Sequence, residues 1–279
     1  MQRRLCYLCI VNVVIVFFIA LGTGKLVKES QIEHLDANIV SSSLYREQNI
    51  GENFLEFLKT KSNPGTYAGI YLLESNYGYE KFDYELSSDA FQSLEKKWSK
   101  NTEWNSYIET TNAIWNDVKY FPVPEFTNAK ELIVSYVNTW MSERTYGGKR
   151  GHEGCDLMAS KNERGLYPII SMTDGIVLSK GWLEKGGYRI GIKSPGGAYF
   201  YYAHLDSYAN LEEGDTVKAG DILGFMGDSG YGPEGTVGQF AVHLHLGIYI
   251  YPNEVETSIN PYWILRYIEN RMVKCYTEK

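Results

Sequence analysis

The sequence predicts an α+β chain, with an N-terminal transmembrane helix and a helical region followed by an all-β domain, and three observations carry that prediction. Residues 5–21 run without a charge behind Arg3 and Arg4. Between residues 50 and 120 aromatic and aliphatic residues recur at helical spacing. Beyond residue 130 glycine clusters punctuate short β-branched and aromatic runs, the texture of many hairpins. A chain of 279 residues accommodates an anchor and one large or two ordinary domains. Its net charge of −7, with no Lys/Arg cluster interleaved with aromatics, argues against a phosphate-tracking surface and predicts no nucleic-acid partner.

Taken in order, the apolar run is just long enough to cross a bilayer. The arginines ahead of it place the N-terminus in the cytoplasm and the bulk of the chain outside. Small residues at Ala20, Gly22 and Gly24 permit cleavage. Residues 1–24 are therefore read as a signal anchor of a single-pass protein in the cell membrane, with a cleaved signal peptide and secretion as the alternative. Cys6 and Cys9 fall in this run as small apolar residues.

Residues 25–120 are expected to form a helical stalk, which carries His34, and then a small helical domain. Phe54, Leu55, Phe57 and Leu58 open its apolar face, Asn63-Pro64-Gly65 interrupts it, and Tyr67, Ile70 and Tyr71 resume it. Phe91, Leu94 and Trp98 continue the pattern, followed by Trp104, Tyr107, Ile108 and Trp115. Leu73-Glu74-Ser75 is similar over two residues to the Glu-Ser of lytic transglycosylases, against which stands the plainer reading of an exposed helix glutamate. Two prolines in Phe121-Pro122-Val123-Pro124 block a continuing helix, so 121–129 is read as a linker. The remaining domain, 130–279, has candidate strands at 175–180, 188–193, 198–205, 222–226 and 242–250.

The chain is organised around 240–251. Period two puts Phe240, Val242, Leu244, Leu246, Ile248 and Ile250 on one face, and Ala241, His243, His245, Gly247, Tyr249 and Tyr251 on the other. Two imidazoles at i and i+2 converge on one small volume, as a metal or proton-transfer site requires. The chain has five histidines, and His152 and His204 join these two in the C-terminal half. If His152, Asp156 and His245 hold one ion, two neutral imidazoles and a carboxylate suit Zn2+ and leave a fourth position for water. His204 and His243 are then available to manage protons. The alternative is a set of exposed histidines with no metal.

Three blocks in order, H-x-x-x-D at His152 and Asp156, Tyr-Ala-His-Leu at 202–205, and H-x-H at His243 and His245, resemble the M23 zinc metallopeptidases of the lysostaphin type. The resemblance covers roughly residues 130–279. It implies a two-sheet β groove, one zinc ion held by His152, Asp156 and His245, and a water attack assisted by His204 and His243. It further implies a role for Tyr146 at the developing oxyanion and the peptides of bacterial peptidoglycan as substrate. Residues 231–241 make a longer loop than is usual in that family and are expected to border the groove. The competing reading is a catalytically silent, membrane-tethered scaffold or regulator of other wall enzymes. Gly227-Asp228-Ser229-Gly230 also mimics a serine-protease nucleophile segment, but the upstream partners are missing. Cys155, beside Asp156, is expected to point away from the site, and whether it pairs with Cys275 is left open.

Overall fold

The computed structural model describes residues 35–276. The apolar run 5–21, with Cys6 and Cys9, and His34 lie outside the described residues, among which no helix is long and apolar enough to cross a membrane.

The first half is helical: α1 (Ser43–Arg46), α2 (Glu52–Leu58), α3 (Pro64–Glu74), α4 (Ser88–Trp98) and α5 (Trp104–Trp115). The Asn63-Pro64-Gly65 interruption separates two helices because Pro64, lacking an N–H, occupies the first turn of α3. Ser87 caps α4 by accepting the Ala90 amide. The face expected from spacing is the buried one: Phe54 stacks on Tyr71 at 4.1 Å, and Phe91 packs against both Phe54 and Phe57. Close contact between α3 and α5 depends on Gly65, where a Cβ would meet the Asn112 Cα at 2.6 Å. Glu74 is not an exposed glutamate; its side chain is 4% accessible and binds Lys97 and the Trp98 indole, each at 2.6 Å.

The second half is built from β1 (Glu125–Phe126), β2 (Val134–Ser135), β3 (Glu143–Arg144), β4 (Arg150–Gly151), β5 (Cys155–Ala159), β6 (Pro168–Ile170) and β7 (Gly175–Leu183). It continues with β8 (Gly187–Lys193), β9 (Tyr199–Tyr208), β10 (Thr216–Val217), β11 (Ile222–Met226), β12 (His243–Ile250) and β13 (Thr257–Ile259), and closes with helix α6 (Tyr262–Ile268) and β14 (Lys274–Cys275). The main antiparallel path runs β10-β7-β8-β9-β12-β5-β2, with β13 on β12 and β11 joining β6 to β9. The expected pair of sheets is thus a single ten-stranded hydrogen-bonded network that branches at β9. A bulge explains the branch: from Leu205 to Tyr202 β9 uses three steps where β8 uses two, and beyond it Ser207 and Tyr208 pair with β11 instead.

Two expectations about the first half need correction. The segment from residue 35 is no free stalk, since Leu35, Val40 and Tyr45 are buried in a core continuous with the β half. The expected linker is packed as well. Phe121 and Val123 are buried, and β1 pairs in parallel with β14. Prolines end the helical texture there, but they fix an extended segment that the sheet end captures.

Candidate metal centre

Strand β12 behaves as its alternation requires. Leu244, Leu246 and Ile248 are fully buried, whereas His243, His245 and Tyr249 line a groove of about 590 Å³. Phe240 departs from the pattern: it precedes the strand and turns to the groove, its ring 4.6 Å from that of His204. The register sets Asp156 of β5 beside His245, and Ala203 of β9 on the other side. Cys155, one residue from Asp156 on the same strand, is therefore on the core face, 1% exposed and free, with its thiol pushed up to about 12 by burial. Cys275 is also free.

Three donor atoms converge. His152 Nε2, His245 Nδ1 and Asp156 Oδ1 are mutually 3.0 Å apart. Ligands of one zinc ion, with bonds of about 2.0–2.2 Å, stand roughly 3.3 Å from one another, so three donors at this spacing would suit such an ion. The group can hold a metal ion. Burial raises the Asp156 carboxyl, but hydrogen bonds from His152 and His245 outweigh that and hold it well below the usual carboxylate range. It is the charged form a cation needs. His152 Nδ1 faces the Thr139 carbonyl at 3.2 Å and its hydroxyl at 3.0 Å, which turns Nε2 toward the cluster. Gly154 makes room for His245, because a Cβ there would overlap its imidazole.

His204 and His243 flank the cluster with ring centroids 4.8 Å apart. Each ring is oriented by a backbone carbonyl: His204 Nδ1 donates to Ser229 at 2.8 Å, and His243 Nδ1 donates to Ala241 at 2.7 Å. In both, Nε2 makes no hydrogen bond among the described residues. Burial, with the neighbouring His243 and His245, keeps His204 well below the ordinary imidazole value. Alternation alone would have sent His204 to the core with Phe200 and Tyr202. The β9 bulge, with His204 at φ 61°, rotates it into the groove and returns Leu205 to the core.

Tyr146 makes no ring contact or hydrogen bond with the cluster among the described residues. It sits on the β3–β4 connection at the rim, stacked on Tyr231 at 4.2 Å, with its hydroxyl donating to Glu184 at 3.3 Å. The loop expected to border the groove does so through Tyr231 and Phe240. Ser229 is no nucleophile: it is fully buried, donates to the Leu205 carbonyl at 2.6 Å and accepts from the Tyr188 amide. Sequence reasoning missed Arg144, whose Nη2 is 2.5 Å from Asp156 Oδ2, and the carbonyls that orient the histidines. An isolated arginine ahead of H-x-x-x-D carries no signal, and backbone acceptors carry none at all.

Comparison with known proteins fits this geometry. The model of peptidase family M23 matches residues 150–261, and that of the LytM N-terminal domain matches residues 30–117. A crystal structure of a candidate glycyl-glycine endopeptidase LytM from Ruminococcus gnavus ATCC 29149 is 53% identical, covers 89% of this chain and 99% of its own, and superposes with a TM-score of 0.85. The chain belongs to peptidase family M23. Within the family it is similar to the L-Ala--D-Glu endopeptidase of Bacillus subtilis (strain 168), 43% identical over 147 residues, 52% of this chain and 42% of that protein. The glycyl-glycine endopeptidase ALE-1 of Staphylococcus capitis is 32% identical over 119 residues, 40% of this chain and 30% of that protein. The chain thus spans less than half the length of these curated relatives.

Proposed function

We propose that the protein is a zinc-dependent endopeptidase that hydrolyses peptide bonds of bacterial peptidoglycan, with one ion held by His152, Asp156 and His245. The observation that carries this reading is the trio of donor atoms 3.0 Å apart on the floor of an open groove, flanked by two further histidines with Nε2 unused. Bound there, zinc supplies Lewis-acid polarisation of a carbonyl and acidifies a water. The chain's own groups do the rest. His204, neutral through burial, accepts a proton at Nε2 while Ser229 fixes its Nδ1–H. His243 lies across the cluster, its Nε2 3.8 Å from Asp156 Oδ1, and is placed to hold or return a proton at the leaving amine. Tyr146 contributes to an oxyanion only if its hydroxyl leaves Glu184.

The relatives' names, one an L-Ala--D-Glu endopeptidase and the other a glycyl-glycine endopeptidase, support a wall-peptide substrate. An exported or membrane-anchored wall enzyme accords with the apolar run at 5–21. A silent scaffold would be expected to lack a ligand or a proton-transfer residue, and all five are present. The test is release of new amino groups from purified peptidoglycan by the full chain. Release that stops with a chelator and resumes with added zinc is expected. No release from a zinc-loaded, folded protein on several cross-link types would overturn the proposal.

A further inference from the structure

Outside the metal cluster, the groove carries an unneutralised positive side. Arg150, Lys185 and Arg189 all line it, and none is within ion-pair distance of a carboxylate among the described residues. Two of these side chains have polar atoms that are both buried and unpartnered, Arg150 Nε and Arg189 Nη1. A buried N–H of a charged group without an acceptor is costly, and native structures retain such groups where a ligand completes them. Arg144 adds a third guanidinium; it is the cross-strand partner of Arg150 in the β3–β4 hairpin, and its one ion-pair partner among the described residues is Asp156.

Register fixes where this charge lies. Arg189 is the β8 residue left opposite the Ala203–His204 bulge, and Ala203 pairs with His245. Its backbone is therefore two strands from the His245 backbone, on the order of 10 Å, and its side chain faces the same groove. The acidic residues of the groove form no ion pair with it: Glu153 pairs with Arg46, Asp156 with Arg144, and Glu256 accepts from the Tyr251 hydroxyl.

We propose that Arg189, with Arg150, binds a carboxylate of the substrate close to the scissile bond, so that the enzyme selects an anionic stem peptide over an uncharged glycine bridge. The inference rests on the peptidoglycan-endopeptidase reading and deepens it. A carboxylate in a wall stem peptide has two sources, the α-carboxylate of a γ-linked D-glutamate and the peptide C-terminus. Planar guanidinium groups suit either, because their paired N–H donors match the two oxygens.

The experiment uses the zinc-loaded full chain and synthetic L-Ala-γ-D-Glu-L-Lys-D-Ala peptides in four forms: the glutamate carboxylate free or as its primary amide, each with the C-terminus free or amidated. Pentaglycine is the fifth substrate. Wild type is expected to favour one carboxylate over its amide by about 10- to 100-fold in kcat/KM, the range for one charged hydrogen-bond set, and the pair that shows the ratio names the source. In Arg189→Gln the ratio should collapse toward one, with Arg189→Lys retaining part of it. A wild-type ratio of one, faster cleavage of pentaglycine, or a ratio that survives Arg189→Gln while all rates fall would overturn the proposal. Wild type that cleaves none of the peptides and no intact peptidoglycan would instead overturn the endopeptidase reading beneath it.

Discussion

At the residue scale, the centre depends on small clearances and on protonation states set by burial. Gly154→Ala places a methyl group against the His245 ring and the Leu246 carbonyl. It should displace His245 and weaken metal binding about 10- to 100-fold, the scale of a disturbed supporting shell. Competition with a chromogenic chelator measures this, and unchanged affinity would show that the ring is free to move. His204 gives a pH dependence with a definite sign. Its folded pKa lies below the ordinary 6.5, so as pH falls below that value the unfolded chain takes up a proton that the native site refuses. Stability of the metal-free protein should therefore fall as pH drops from about 6.5, and His245, shifted the same way by burial, adds to the slope. Asp156, depressed instead, stays ionised in both states across that window. Thermal midpoints of wild type and His204→Gln against pH check the point, and the variant should show the shallower slope.

At the element scale, alternation and bulges divide the work. Strand β12 was legible because its period-two pattern, aliphatic on one face and histidine on the other, is what a half-buried strand must show. The strands at 175–180, 188–193 and 222–226 were legible as short β-branched or aromatic runs between glycines that mark their turns. The orientation of His204 was not, since a left-handed residue inside a strand has no compositional mark when it is not glycine. Nor was Tyr146, whose distance from H-x-x-x-D says nothing about which way a hairpin tip turns. Among the helices, spacing revealed the aromatic faces but not the close approach at Gly65, which depends on the partner helix. Gly65→Val should push α3 from α5 and destabilise by about 1–3 kcal/mol, the usual cost of overpacking, visible as a lowered urea midpoint. Unaltered stability would mean that Asn112 yields.

At the scale of the whole molecule, the helical half is fastened to the β half beside the site. Arg46 of α1 donates from Nε to the Ser258 carbonyl at 2.8 Å and from Nη2 to Glu153 at 2.9 Å, and Glu153 adjoins the candidate ligand His152. Arg266 of α6 reaches Glu52 at 2.7 Å, and β1 closes on β14. A change of texture at the prolines was readable as a boundary in sequence. Docking across it was not, because the partners lie more than one hundred positions apart and carry no shared pattern. Arg46→Ala should cost about 1–2 kcal/mol, as removal of charged hydrogen bonds with a half-exposed Glu153 implies, and native-state proteolysis should then cut near residues 35–50 first. Protection equal to wild type would show that the core alone holds the segment.

The central claim is the division of the five polar groups into three that hold a metal and two that move protons. Metal content and turnover measured together on purified wild type and five single variants test it most directly. Wild type, His204→Ala and His243→Ala should each carry one zinc per chain, the last two with turnover reduced about 10²- to 10⁴-fold. His152→Ala, Asp156→Ala and His245→Ala should lose metal and activity together. Full zinc retention in any of those three, or metal loss in His204→Ala or His243→Ala, would contradict the account.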